Sequence, residues 1–206
     1  MVRGFHKYQS NYTPLSPLSW ADLEYNQTHA ASPGEGTSWL EVMMSEDEGL
    51  EFLIGPLLRQ AGLKLALAES CTGGLIGHRV TNVPGSSDYY LGSVTAYAYE
   101  AKERLLGVSH DTLVHYGAVS QETALEMARG IRRVLDADIG VSVTGIAGPG
   151  GGLPGKPVGL VWIGLSAPGG DWAFQYFWKG NRVENKVESA QAALQRLYDY
   201  LTGELA

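Results

Sequence analysis

A serine and a cysteine stand side by side where the sequence changes from an apolar run to a glycine-rich turn. The run Leu63–Ala68 is typical of a short buried strand, and the segment ESCTGG follows it at residues 69–74. The two glycines open a predicted helix, whose N-terminus offers free N–H donors and a positive dipole end. Three interpretations stay open: a nucleophile beside an oxyanion hole, an anion site without chemistry, and a plain turn. Either Ser70 or Cys71 is a candidate nucleophile, but neighbours at a turn point in different directions.

A serine nucleophile needs a base. We read the histidines as exposed or half-buried side chains, which makes them poor candidates. Lys102 is a better one, because it follows the end of a predicted strand in a stretch that contains Tyr97 and Tyr99. A lysine buried among aromatic rings loses hydration, which lowers its pKa and lets it act as a base. The alternative is a surface lysine that pairs with Glu100 or Glu103.

Two further places have residue types that could bind a ligand. Thr144 and Gly145 end a predicted buried strand and begin a glycine-rich loop, so the threonine either binds a substrate or caps the loop. Arg182 and Lys186 lie one helical turn apart at the start of the last predicted helix. That pair either holds a phosphate or is solvated.

The glycine-rich segment Gly150–Lys156 imitates a nucleotide-binding P-loop. It matches the G-x-x-x-x-G-K pattern, but Pro157 stands where the magnesium-binding hydroxyl is required. A strand pattern follows it in place of a helix, so no helix dipole would support a phosphate. We therefore reject an ATPase.

Composition excludes several classes of protein. The chain has 206 residues, 15 basic and 22 acidic, and a net charge of −7, which disfavours binding to nucleic acid. Its single cysteine excludes a disulfide-stapled domain and a structural zinc site. No apolar run approaches the roughly 20 residues that span a bilayer, and no signal-peptide pattern is present. We expect a soluble, cytoplasmic protein that needs no metal.

The chain divides into two parts. Residues 1–45 mix proline, serine and asparagine with isolated aromatics, which predicts an irregular arm or linker. Residues 46–206 show helical and strand periods in the order helix, strand, helix, strand, two helices, three strands and a helix. This order predicts an α/β fold, a three-layer α-β-α sandwich with a mixed sheet. We expect the loops that carry Ser70, Lys102 and Thr144 to converge beyond the strand ends.

Several motifs in this order resemble a known family. The segments AESCTGG, TAYAYEAK, GAVSQETALEMARG, VSVTGIAGPGGG and GNR are similar to those of the C-terminal domain of the CinA (competence/damage-inducible) family. That domain occurs alone in many bacteria as nicotinamide-nucleotide amidase. The resemblance covers roughly Leu50–Leu201, so residues 46–206 are interpreted as a CinA C-terminal-like amidase domain.

The resemblance implies hydrolysis of nicotinamide mononucleotide (NMN) to nicotinate mononucleotide and ammonia. Carried over by motif, Ser70 is the nucleophile, Lys102 the general base and Tyr97 a third catalytic-site residue that could stack on the pyridinium ring. Backbone N–H groups near Thr72–Gly74 would hold the oxyanion. The implied substrate-binding residues are Thr72, Gly73, Gly74, Thr144, Gly145, Arg182 and Lys186. The implied substrate is a small nucleotide; no cofactor, nucleic acid or membrane is implied, and a homo-oligomer is expected.

Two positions depart from the family pattern. Ala98-Tyr99 replaces the usual Ser-Asn, and Lys186 replaces an arginine, which would hold a phosphate less rigidly. Because the asparagine could touch the substrate or orient the lysine, an alternative is a pyridine-nucleotide-binding module of the same fold that does no chemistry.

Overall fold

The computed structural model describes residues 49–205, so the predicted arm at residues 1–45 lies outside the described part. The chain forms six helices and five strands within that range, together with a short 3₁₀ turn at Ser86–Asp88. In chain order they are α1 (Leu50–Ala61), β1 (Leu65–Glu69), α2 (Leu75–Thr81), β2 (Tyr90–Thr95), α3 (Tyr99–Leu106), α4 (His110–Tyr116), α5 (Gln121–Val134), β3 (Ile139–Gly145), β4 (Leu160–Ala167), β5 (Gly170–Phe177) and α6 (Arg182–Leu201).

The five strands form one mixed sheet, as the sequence predicts. Its order is β2-β1-β3-β4-β5, with β1 parallel to both β2 and β3. The strand β4 is antiparallel to both β3 and β5, and a turn at Pro168-Gly169 joins β4 to β5. Because β1 lies between β2 and β3 and is parallel to both, its carboxyl end lies beside those of β2 and β3.

The residues of β1 divide the core into two layers. Leu65 and Leu67 belong to the cluster that contains α1, α2 and α6, whereas Ala66 and Ala68 belong to the cluster that contains α3, α4 and α5. This is the period-2 alternation of a strand covered on both faces. Helices therefore cover both faces of the sheet, and the predicted α-β-α sandwich is confirmed.

The helix α5 lies unusually close to the sheet. A Cβ atom on Gly140 would be 2.2 Å from the carbonyl oxygen of Ala128, and one on Gly164 would be 2.5 Å from that of Ala124. The Ser142 hydroxyl donates to the same Ala124 oxygen at 2.6 Å. Glycine is required at both positions because backbone meets backbone, and this contact fixes α5 against β3.

The helix α4 was not predicted from the sequence, where its histidines were interpreted as exposed or half-buried.

Within residues 49–205, no helix has the length and apolar character needed to cross a bilayer.

Candidate active site

The loops that carry the candidate residues meet at one edge of the sheet. Glu69, the last residue of β1, pairs with Thr95 at the end of β2 and with Val143 in β3. Ser70 N–H donates to the Val143 carbonyl at 3.0 Å, and Ala96 N–H donates to the Glu69 carbonyl at 2.8 Å. The parallel ladders thus extend past the strand ends and hold the backbone on both sides of Ser70.

The Lys102 ammonium nitrogen lies 2.9 Å from the Ser70 hydroxyl oxygen. The helix α3 begins directly after the β2 loop and turns Lys102 inward, where its side chain is only 1% exposed. Nζ also donates to the carbonyl oxygens of Ala96 at 2.7 Å and Tyr97 at 3.2 Å. The surface alternative for Lys102, paired with Glu100 or Glu103, is therefore wrong.

Burial lowers the pKa of Lys102 from 10.5 to about 8, while the neighbouring Cys71 thiol acts in the opposite direction. Within residues 49–205 no carboxylate forms an ion pair with this lysine. A neutral amine has two N–H donors and one lone pair. The two carbonyls accept from the donors, which leaves the lone pair free to accept the Ser70 proton.

Cys71 lies in the same pocket but is a poor nucleophile. Burial raises the pKa of its thiol to about 12, so almost none of it is thiolate near neutral pH. Of the two adjacent candidates, only Ser70 is hydrogen-bonded to a base. The geometry therefore favours Ser70 over Cys71 as the candidate nucleophile.

A pocket of about 200 Å³ opens onto this pair. It is smaller than the roughly 300 Å³ at which pockets for drug-sized ligands begin, so it could enclose one ring and its substituent but not a whole nucleotide. Tyr97 is 63% exposed and stands at the rim. The lining consists of Ser70, Cys71, Tyr97, Lys102, Ala118, Val119, Thr144, Gly145, Ala147 and Arg182.

Thr144 fixes the position of Ala118, and both residues line the pocket. Its hydroxyl donates to the Ala118 carbonyl at 2.7 Å and is 1% exposed, while the Tyr99 hydroxyl accepts from the Ala118 N–H at 3.2 Å. Ala118 is thus fixed from both sides. The departure at Tyr99 supplies one of these contacts, and Gly145 is required because a Cβ atom there would be 2.6 Å from Val161.

Two cations of α6 lie near the pocket mouth. A capping box formed by Asn181 and Glu184 begins the helix and sets Arg182 in its first turn. The guanidinium donates to the Gly148 carbonyl at 2.7 Å and to the Tyr97 hydroxyl at 3.2 Å. Lys186 lies beside the serine turn, since a Cβ atom on Gly73 would be 3.8 Å from its Nζ. Among residues 49–205, neither cation pairs with a carboxylate.

The expected oxyanion donors need correction. Gly73 N–H donates to the Ser70 carbonyl at 3.2 Å, and Gly74 N–H donates to Glu69 Oε2 at 2.9 Å. Of the predicted Thr72–Gly74 donors, two are thus already used inside the turn. Sequence reasoning also missed Glu69, although a carboxylate at the end of an otherwise apolar strand was a visible signal.

Comparison with known proteins identifies the family of this chain. The model of the CinA C-terminal domain family matches residues 47–201. A CinA-like protein of Salinibacter ruber is 48% identical over 155 residues, which cover 75% of this chain and 38% of that protein. The chain spans about two fifths of the length of the curated relatives it matches.

Solved structures have the same fold. The competence/damage inducible protein CihA from Agrobacterium tumefaciens is 39% identical with a TM-score of 0.72, and the match covers 74% of this chain and 93% of that one. A CinA superfamily protein from Klebsiella pneumoniae is 30% identical with the same TM-score, covering 75% and 96%. From its sequence motifs, its fold and these similarities, the chain belongs to the CinA family, and residues 47–201 form a CinA C-terminal domain.

Proposed function

We propose that this protein is an amidohydrolase that converts NMN and water to nicotinate mononucleotide and ammonia. The observation that carries the proposal is the buried Lys102, 2.9 Å from the Ser70 hydroxyl and without a carboxylate partner among residues 49–205. A lysine with a pKa of about 8 is neutral in about a tenth of molecules at pH 7, which is enough to serve as a general base.

In the first half of the reaction, neutral Lys102 takes the Ser70 proton as Oγ attacks the carboxamide carbon. The tetrahedral intermediate collapses as the carbon–nitrogen bond breaks, and Lys102 gives the proton to the departing nitrogen, which leaves as ammonia. In the second half, Lys102 takes a proton from water, and the oxygen attacks the ester carbon. The bond to Oγ breaks, Lys102 returns its proton to Ser70, and the carboxylic acid leaves and loses its remaining proton to water.

The charges around the pocket suit this substrate. The ring of NMN is a pyridinium cation, which activates its carboxamide and would be repelled by a charged lysine. Tyr97 at the rim could stack on the ring. Arg182 in the pocket lining and Lys186 beside the serine turn could bind the phosphate of a nucleotide. The pocket size fits the same arrangement, with the ring enclosed and the phosphate outside.

The direct test is to incubate the purified protein with NMN and measure both ammonia and nicotinate mononucleotide. We expect equal amounts of the two products. Thermal stabilisation by NMN without ammonia release would instead support the non-catalytic binding module.

The Tyr99 contact gives a more specific prediction. We expect Tyr99→Phe to lower the unfolding free energy by about 0.5–1.5 kcal/mol, the usual contribution of one hydrogen bond, and to raise KM for NMN severalfold with little change in kcat. The reason is that Ala118, which lines the substrate pocket, loses its hydrogen bond to Tyr99, whereas the pair of Ser70 and Lys102 is unchanged.

The matched control is Tyr116→Phe, which makes the same chemical change in another half-exposed tyrosine near the pocket. Thermal unfolding and steady-state kinetics measure both effects. Equal KM values for Tyr99→Phe and Tyr116→Phe would show that the Ala118 contact does not shape the pocket.

A further inference from the structure

Glu69 is a fully buried carboxylate placed directly before the nucleophile. Its side chain is 0% exposed, yet no cation of residues 49–205 pairs with it. Oε2 accepts from the Thr72 hydroxyl at 2.6 Å, from Gly74 N–H at 2.9 Å and from Ile76 N–H at 3.2 Å. Oε1 accepts from Gly77 N–H at 2.8 Å. All four partners are donors, which is the pattern that an ionised carboxylate accepts.

These four donors span the whole turn that carries Ser70 and the beginning of α2. The turn depends on two residues with positive φ, Gly73 at 66° and Gly74 at 99°, a conformation that favours glycine. One carboxylate therefore ties the residues after Ser70 to the residue before it. The burial of an anion is expensive, and here its negative charge is balanced by the N–H dipoles at the start of α2.

The same bonds determine which donors remain for a substrate. The N–H groups of Gly74, Ile76 and Gly77 donate to Glu69, and that of Gly73 donates to the Ser70 carbonyl. Within the described residues, the N–H groups of Cys71 and Thr72 donate neither to a backbone carbonyl nor to Glu69. The beginning of α2 is thus occupied by the protein's own anion, and the free donors lie next to the nucleophile.

We propose that Glu69 is a positioning residue, which fixes the Ser70–Gly74 turn so that the Ser70 hydroxyl stays at Lys102 and the N–H groups of Cys71 and Thr72 are left for the oxyanion. This rests on the proposed role of Ser70 as nucleophile. Glu69 does not touch the substrate. Its contribution is to the chemical step and not to substrate binding, so its loss lowers kcat and leaves KM nearly unchanged.

The test uses Glu69→Gln, which keeps the shape of the side chain but replaces one acceptor oxygen with an N–H₂ donor. That donor would face the backbone N–H groups of the turn. The matched control is Glu51→Gln, because Glu51 is also buried and pairs with Arg79 at the other end of α2, at 2.5 Å, without contacting the serine turn. Both variants should lose thermal stability. Only Glu69→Gln should lose kcat, by about tenfold or more.

A second readout does not depend on the substrate. A fluorophosphonate probe reacts with activated serines, and mass spectrometry of the labelled peptide reports the labelling rate of Ser70. We expect Ser70 to be labelled at the same rate in wild type and Glu51→Gln. In Glu69→Gln the labelling rate should be lower by about tenfold or more. If Glu69→Gln does not fold, the pair Thr72→Val and Thr72→Ser tests the same contact: the valine should slow labelling and the serine should restore it.

The outcomes separate the two proposals. A wild type that labels at Ser70 but does not hydrolyse NMN would overturn the proposed substrate and leave the positioning role intact. A folded Glu69→Gln that labels and turns over like Glu51→Gln would overturn the positioning role, as would equal labelling of the Thr72 variants. A rise in KM with unchanged kcat would also contradict it.

Discussion

Ser70→Ala will reduce kcat for NMN hydrolysis by at least about a thousandfold, because the variant has no group that can form the acyl-enzyme. The adjacent thiol cannot substitute for it, since burial raises the pKa of Cys71 to about 12. Binding should survive, because the pocket walls, Arg182 and Lys186 are unchanged. We therefore expect NMN to raise the melting temperature of Ser70→Ala while ammonia release is lost.

The control is Ser109→Ala, which removes an exposed serine whose side chain makes no capping hydrogen bond at the start of α4. It should retain wild-type kinetics. Ammonia is measured together with the mass of the intact protein, since a trapped acyl group would appear on wild type and not on Ser70→Ala. Turnover by Ser70→Ala at the wild-type rate would remove the serine from the mechanism.

The periodicity of the sequence was sufficient to predict the layered fold. Alternating leucine and alanine in β1 and the β-branched residues of β3 indicated a sheet covered on both faces, and the structure confirms it. The short helix α4 was not predicted because its seven residues include only one strongly buried apolar side chain, Leu113, and show no helical period. In α6, Val187 follows the helical period of Ala190 and Leu194, which by itself indicates a buried position. It is nevertheless 49% exposed, since Asn185 and Ser189 take the buried positions in that half of the helix.

The candidate site was only partly readable from the sequence. Ser70 and Lys102 stood out because each follows a predicted strand end. They are 32 positions apart in the chain, and their distance in space is set by the pairing of β1 with β2. The role of Ala118 was not readable, since it acts through hydrogen bonds of its backbone atoms. Glu69 was visible as a carboxylate at the end of an apolar strand, but its hydrogen bonds to the following turn were not. Hydrogen bonds to backbone atoms produce no pattern of residue types in the sequence, so they are visible only in the three-dimensional structure. The roles of the site residues and the homo-oligomer remain predictions.

Lys102→Met will likewise reduce kcat by at least about a thousandfold, because methionine fills the buried space but can neither accept the Ser70 proton nor deliver one to ammonia. Lys102→Arg should fail in the same way, since a guanidinium does not lose its proton in the working pH range. In wild type, kcat/KM should rise as the pH rises through about 8, where Lys102 becomes neutral, and should fall about tenfold per pH unit below it. Neither variant should show this rise.

The same lysine predicts how stability depends on pH. Its folded pKa of about 8 lies below the ordinary 10.5, so between these values the unfolded chain binds a proton that the folded chain does not. Its contribution to the unfolding free energy therefore increases with pH across that window and is lost as the pH falls through about 8. The difference in unfolding free energy between wild type and Lys102→Met should rise from pH 7.5 to 9.5, by on the order of 1 kcal/mol per pH unit at most.

Lys64→Met is the matched control, because Lys64 is an exposed lysine just before β1, at the end of that strand opposite Ser70. Its kcat should be that of wild type, and its unfolding free energy is measured over the same pH range. Urea unfolding at several pH values and the pH profile of ammonia release measure the two effects independently. A Lys102→Met difference that does not change with pH would mean that Lys102 stays charged in the folded protein, and a charged lysine could not take the Ser70 proton.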